Sequence, residues 1–203
     1  MRSFSRILGV VYDLDGTIID SSYVHAAAWR VAADKYDVKI TAKFLEFQKG
    51  RTNEAAATGL LAPLGKLAIL EDLVKEKINY ADQHASESHY FRDFGDACEL
   101  LRQMEIQVWI CTSSSKQFCL KVYETFAQLS DFVERTVWRE MYKNGKSQGL
   151  RVVFEKMDIE PADVVYVGDA LSDWEAAQEV GCRFVCYGGL AIKRHIELLS
   201  LFP

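Results

Sequence analysis

An apolar run ends abruptly on two carboxylates in Ile7-Leu8-Gly9-Val10-Val11-Tyr12-Asp13-Leu14-Asp15-Gly16-Thr17. A short run of this kind suits a buried strand, and alternation along an extended backbone puts Asp13 and Asp15 on the same side. Gly16 lets the chain turn away, and Thr17 offers a hydroxyl beside the acids. Buried aspartates need partners; no Lys or Arg stands between Arg6 and Arg30, so a metal cation is the simplest local remedy. Three more polar clusters follow: Thr112-Ser113-Ser114-Ser115, Gly145-Lys146-Ser147 and Gly168-Asp169-Ala170-Leu171-Ser172-Asp173. Together these residue types suit phosphoryl transfer. A carboxylate can act as nucleophile and form an aspartyl phosphate, Mg²⁺ and a lysine can hold the charged oxygens, and hydroxyl and amide donors complete a cradle.

Such groups converge only if strands deliver them to one edge. The spacing predicts strands at the opening run, at 107–111, 132–137 and 164–167, and at 183–187 before Gly188-Gly189. Helices are expected between them: one capped by Asp96 with Ala97, Leu100, Leu101 and Met104 on one face, one marked by Phe118, Val122 and Phe126, and one by Leu150, Val153, Phe154 and Met157. A fourth runs over 173–180 and closes at Gly181, and the last dozen residues read as helical. Alternating strands and helices imply an α/β fold with a doubly wound, Rossmann-like parallel sheet, whose ligands bind at the carboxyl ends of the strands. Between the first strand and this pattern, Asp20-Ser21-Ser22 opens a helix with Val24, His25, Ala28, Trp29, Ala32 and Tyr36 on one face. Helical stretches at 41–48, 53–62 and 71–86, punctuated by Pro63 and Gly65, make residues 21 to 90 an all-helical block.

The 203 residues, 49% of them apolar, suffice for a full core in one or two domains. A net charge of −5 argues against a nucleic-acid surface built on phosphate contacts. Five cysteines without a CxxC pair suit reduced thiols in a cytoplasmic protein. Met1 to Arg6 and the apolar run after them imitate a secretory signal, but the run ends at Asp13. No apolar stretch approaches the ~20 residues of a membrane span, so no membrane partner is expected.

Taken with their spacing, the Asp13-Leu14-Asp15-Gly16-Thr17 and Gly168 to Asp173 motifs resemble those of the haloacid dehalogenase superfamily, specifically its phosphatases and phosphomutases. The similarity spans nearly the whole chain. It implies an α/β core at 1–18 and 91–203 with a helical cap inserted at 19–90, the Asp13 strand central and the strand before Asp169 next to it. It makes Asp13 the nucleophile and Asp15 the general acid/base. Asp13, the Asp15 carbonyl and Asp169 would bind Mg²⁺, with Asp173 in support. Gly16, Thr112, the Ser113 amide and Lys146 would hold the transferring phosphoryl group. Relatives acting on haloacids lack the second acid, because halide leaves without a proton; Asp15 therefore points to a phosphate ester. The implied activity is hydrolysis of a small phosphorylated metabolite of phosphoglycolate, sugar phosphate or nucleotide type, by a monomer or homodimer. A phosphomutase, or a silent phosphate-binding protein, is the alternative. The loop Lys49-Gly50-Arg51-Thr52 stands where relatives carry a specificity loop, and His25 and Trp29 match a His-x-x-x-Trp pattern after the first motif.

Several of these residues have plainer readings. Thr112 can cap the next helix, Asp173 can be a first-turn helix acid, and Lys143 can replace Lys146 as the working amine. Ser147 stands where the family's Gly-Lys is usually followed by Pro. Lys49 and Arg51 can be solvated loop residues, and His25 and Trp29 can be core.

Overall fold

The computed structural model describes residues 6–188 and 192–201. Five parallel strands form one sheet in the order β5-β4-β1-β6-β7, where β1 is Gly9–Tyr12, β4 Gln107–Cys111, β5 Thr136–Val137, β6 Val164–Gly168 and β7 Arg183–Cys186. β1 is central and pairs with β4 on one side and β6 on the other. Every residue of β1 and β6 is buried, as expected for parallel strands covered on both faces. Val10 and Tyr12 point into one apolar cluster and Val11 into the other, the two-residue period of a strand. The first cluster is completed by α5 (Asp93–Gln103) and α6 (Lys116–Thr125), the second by α7 (Gly145–Met157) and α8 (Leu171–Val180). Chain direction diverges on either side of β1, so its carboxyl end opens at the switch point of the sheet.

Four helices fill the inserted block: α1 (Ser22–Asp34), α2 (Ala42–Phe47), α3 (Asn53–Leu61) and α4 (Leu70–Gln83). They bury their own cluster, including Trp29, Phe44, Leu61 and Leu73, while Val24, Ala28, Ala81 and Ala85 pack into the core beside Phe118. Thr41 and Thr52 cap α2 and α3 by accepting the N–H of Phe44 and Ala55. The chain enters and leaves this block through an antiparallel pair, β2 (Ile19–Asp20) with β3 (His89–Tyr90).

Four local expectations are corrected. Of 132–137 only Thr136 and Val137 are strand; Ala127–Arg135 winds as a 3-10 turn because buried Leu129 and Phe132 recur every three residues. Helix α5 starts at Asp93, so Asp96 lies in its first turn rather than at its cap. Helix α4 stops at Gln83 before a 3-10 turn at Ala85–Glu87. Helix α8 begins at Leu171, two residues before Asp173. The C-terminal segment forms a 3-10 helix over His195–Leu201; Gly189, Phe202 and Pro203 lie outside the described residues.

Candidate active site

Asp13 and Asp15 share a site, although not by strand alternation. β1 ends at Tyr12, and the Leu14 carbonyl then accepts the N–H groups of Thr17, Ile18 and Ile19, folding the chain into a tight turn. Gly16 has φ +84, and its N–H donates to the Ile19 carbonyl. A Cβ at Gly16 would lie 2.2 Å from Asp169 Oδ2, so glycine is required twice: for the backbone and for the approach of β6's terminal loop. The Thr17 hydroxyl is buried and bonds to neither acid.

Helix α7 supplies the cation. Gly145, at φ +77, opens it, and Lys146 in its first turn donates to Asp13 Oδ1 at 2.7 Å and to Asp173 Oδ1 at 2.6 Å. Burial alone would lower the Lys146 pKa, but the two carboxylates override it and hold the ammonium well above its usual range. Asp13 is pushed up by burial and by Asp173, Asp15 and Asp169, against the pull of Lys146. Asp173 is fully buried and accepts from Lys146, the Tyr166 hydroxyl at 2.9 Å and the Ala170 N–H at 3.0 Å. It is thus both a first-turn helix acid and the anchor of Lys146.

Carboxylate oxygens of Asp13, Asp169 and Asp173 lie within 4.8 Å of one another. Burial and the Asp173 charge push Asp169 up to about 6. Three hard oxygen donors with more negative charge than Lys146 neutralises fit a divalent cation such as Mg²⁺.

The second acid has a different environment. Asp15 accepts from the Ser21 hydroxyl at 2.5 Å, Ser114 at 2.7 Å, Thr112 at 3.3 Å and His25 Nε2 at 3.3 Å. Burial pushes the carboxyl up, but these donors outweigh it and hold it well below the carboxylate range. Ser21 stands at the N-cap of α1 yet makes no cap bond, its hydroxyl being committed to Asp15. Thr112 also accepts the Ser114 N–H, but it does not cap the next helix: Ser115 does, accepting the Phe118 N–H at 3.0 Å.

Behind His25 stands Lys77, 5% exposed, with Nζ 3.2 Å from His25 Nδ1. An ammonium can only donate, so Nδ1 accepts and the ring proton sits on Nε2, facing Asp15. Burial and Lys77 hold His25 below its ordinary value, and burial pushes Lys77 down to about 8. His25 stacks on Phe118 at 5.3 Å, while Trp29 is fully buried and donates to Gln48 at 3.2 Å. Sequence reasoning missed Ser21, Ser114, Lys77 and Tyr166. For Lys77 a signal existed, because it shares an i, i+4 stripe with Leu73 and Ala81 on the buried face of α4.

Asp13, Asp15, Ser21, His25, Lys77, Ser114, Lys146 and Asp169 face one cavity of about 1060 Å³ between the sheet and the helical block, while Thr112, Asp173, Tyr166 and Trp29 are buried outside its lining. Lys49 and Arg51 line it from the far side. Lys49 pairs with Glu46 at 2.8 Å, and Arg51 donates to the Phe47 carbonyl and lies 4.2 Å over the Phe47 ring. Gly50, between them, approaches the start of α8: a Cβ there would lie 2.7 Å from Ser172 Oγ. Arg139, beyond β5, reaches Glu54 of α3 at 2.6 Å, a bridge from core to insert. Lys143 is exposed and outside the cavity lining, whereas Lys146 is within it. Cys111 is buried, and burial pushes its thiol up to about 12. No described helix is long and apolar enough to cross a membrane.

A doubly wound sheet with an aspartate pair at its central strand end, a lysine from a later helix and a third acid just past the neighbouring strand defines a hydrolase class. The sequence profile of that class, Haloacid dehalogenase-like hydrolase, matches residues 10–187, and the chain belongs to this family. Phosphoglycolate phosphatase of Aliivibrio fischeri is 26% identical over 192 residues, spanning 89% of this chain and 83% of that protein. The fold is shared with β-phosphoglucomutase from Clostridium difficile, with TM-score 0.80 at 22% identity over 95% and 93% of the two chains. It is shared equally with a haloacid dehalogenase-like hydrolase from Streptococcus pneumoniae, with TM-score 0.79 at 18% identity over 97% and 91%.

Proposed function

We propose that this enzyme is a Mg²⁺-dependent phosphatase of a small phosphomonoester, working through phosphorylation of Asp13. One observation carries the reading: a buried carboxylate at the end of the central strand, bonded to Lys146, next to the Asp169–Asp173 pair and across from a second acid with separate partners. In the first step an Asp13 oxygen attacks phosphorus, an O–P bond forms to Asp13 and the ester P–O bond breaks. Asp15 gives a proton to the leaving oxygen. Asp15 is a carboxylate without substrate; the negative charge of an entering phosphoester beside it raises its proton affinity, and it takes from solvent the proton it then passes to the leaving oxygen, regaining one from water in the second step. In the second step water attacks phosphorus, Asp15 takes its proton, and the Asp13 O–P bond breaks to release inorganic phosphate. The Ser113 amide and Lys146 hold the phosphoryl oxygens, Thr112 reaches them only when its hydroxyl turns from Asp15, and Gly16 shapes the turn that brings Asp15 over them. A Mg²⁺ ion held by Asp13, the Asp15 carbonyl and Asp169, with Asp173 behind, would supply positive charge against those oxygens.

Residues 19–90 act as a cap on this core, entered and left through the β2–β3 pair, and present Lys49 and Arg51 toward the non-reacting end of the substrate, with His25 bordering the cleft beside Asp15. The curated relative's phosphoglycolate phosphatase activity makes phosphoglycolate the first substrate to try, with sugar phosphates and nucleotides beside it. Five free cysteines support a reducing cytoplasmic setting.

The test is a phosphomonoester panel with and without Mg²⁺, run on the wild type and Asp13→Asn. Mg²⁺-dependent hydrolysis abolished by Asp13→Asn is expected; hydrolysis that survives the substitution sinks the aspartyl-phosphate mechanism. Absence of hydrolysis together with isomerisation of glucose 1-phosphate in the presence of a bisphosphate primer would select a phosphomutase.

A further inference from the structure

The loop 112–116, which the proposed function makes the phosphate cradle, is splinted along its length by one segment. Arg139 N–H donates to the Ser114 carbonyl at 3.2 Å, and the Glu140 carboxylate accepts the Lys116 N–H at 3.0 Å. The Tyr142 hydroxyl donates to the Thr112 carbonyl at 2.8 Å. That uses its single proton, so the contact of Ser113 Oγ with the Tyr142 oxygen at 3.3 Å has Ser113 as donor. The Tyr142 ring is wedged against Gly149 and Cys111, where a Cβ on Gly149 would lie 2.8 Å from the ring. Tyr142 is therefore fixed, and it stands outside the residues that line the cavity.

The Thr112 carbonyl and the Ser113 N–H belong to one peptide group, and in a trans peptide they point in opposite directions. Tyr142 holds the carbonyl behind the cavity wall. The Ser113 N–H consequently faces the cavity that Ser113 lines, and it donates to no acceptor among the described residues. A hydrogen bond accepted by the carbonyl also polarises the peptide and strengthens its N–H as a donor.

We propose that Tyr142 is a positioning residue of the phosphate cradle, its hydroxyl aiming and polarising the Thr112–Ser113 peptide so that the Ser113 N–H receives a phosphoryl oxygen. The inference rests on the proposed phosphatase reading for the identity of that ligand. Burial pushes the Tyr142 phenol up, so it stays a donor throughout the working pH range.

Tyr142→Phe keeps the ring in its wedge and removes only the hydroxyl. One neutral hydrogen bond, transmitted to a phosphoryl contact, corresponds to about a three- to tenfold effect. With Mg²⁺ present, the variant should lose that factor in kcat on p-nitrophenyl phosphate and in affinity for orthovanadate, with its melting temperature close to the wild type. Its Ser113 amide proton should move upfield. In the wild type, orthovanadate should shift the same amide resonance downfield. A variant with wild-type kcat, wild-type orthovanadate affinity and an unmoved Ser113 resonance overturns the role of Tyr142. Should the variant fail to fold, the wild-type titration decides: a Ser113 amide insensitive to saturating orthovanadate overturns the proposal. A wild type with no phosphatase activity and no orthovanadate binding defeats the phosphatase reading itself, a result distinct from both.

Discussion

Replacing Lys146 by Met removes the one ammonium bonded to both Asp13 and Asp173 while keeping most of the side-chain volume. Asp13 is 5% exposed and Asp173 fully buried, so neither carboxylate can turn to solvent for compensation. Breaking a buried ion pair from one side costs about 3–5 kcal/mol, because the partner charge stays behind unpaired. At about 2–4 °C per kcal/mol for a chain of this length, the melting temperature in EDTA should fall by ~6–20 °C. Part of that loss should return on adding Mg²⁺, which binds the acids only in the fold. Adding Asp173→Asn to the variant removes one of the two stranded charges, and the double-mutant cycle should give a coupling of about 1–3 kcal/mol. The pH dependence has a defined sign. Asp13 already sits above its ordinary value, and without Lys146 it rises further, so the unfolded chain loses this proton before the fold does. Stability from that group is full below the ordinary aspartate value and is lost as pH climbs through the folded one. The variant should therefore be closer to the wild type at pH 5 than at pH 7.5. Differential scanning fluorimetry in EDTA at both values, paired with p-nitrophenyl phosphate turnover, is the assay. An unchanged melting temperature at pH 7.5 with retained turnover would refute the reasoning.

Asp169, at about 6, should make Mg²⁺ stabilisation pH-dependent: its raised folded value means the metal-free fold is favoured at the acid end of the window from about 4 to 6 and loses that advantage as pH rises. Protons and metal then compete, so the Mg²⁺-induced rise in melting temperature should be largest near pH 7.5 and shrink toward zero by pH 5; a shift of equal size at both values would remove Asp169 from the ligand set. Gly16→Ala places a methyl 2.2 Å from Asp169 Oδ2 at φ +84, adding about 1–2 kcal/mol of backbone strain to the displacement of the acid. Turnover and Mg²⁺ affinity should both fall in that variant, and isothermal titration finding wild-type Mg²⁺ affinity would separate Gly16 from the metal site.

The acids were legible because each announces itself locally. Asp13 and Asp169 stand just past apolar runs that had to be strands, and the parallel sheet brings the ends of β1 and β6 together whatever lies between them. Lys146 is distinguished from Lys143 because Gly145-Lys146 matches the family's Gly-Lys pair, and the central place of β1 likewise came with the family resemblance. Strand boundaries failed where burial recurs every three residues, as at Leu129 and Phe132, since apolar content there reads equally as strand.

The hydrogen-bond donors were hidden for a different reason. The first motif has no Lys or Arg near it to neutralise its acids locally; instead Asp13 is met from Lys146 and Asp15 from Ser21, His25, Thr112 and Ser114. Those partners lie between 6 and 133 residues away in the chain, so proximity in sequence says nothing about them. The consequence is chemical as well as structural. Asp13 and Asp15 are two residues apart, and burial pushes both toward the neutral acid, but only Asp15 collects enough donors to be held as a firm carboxylate. Two of its donors, Ser21 and His25, belong to the start of the helical insert and two to the loop after β4. The motif therefore specifies where the two acids stand, whereas the donors that hold Asp15 as a carboxylate come jointly from the insert and the core, at positions the Asp-x-Asp motif does not contain.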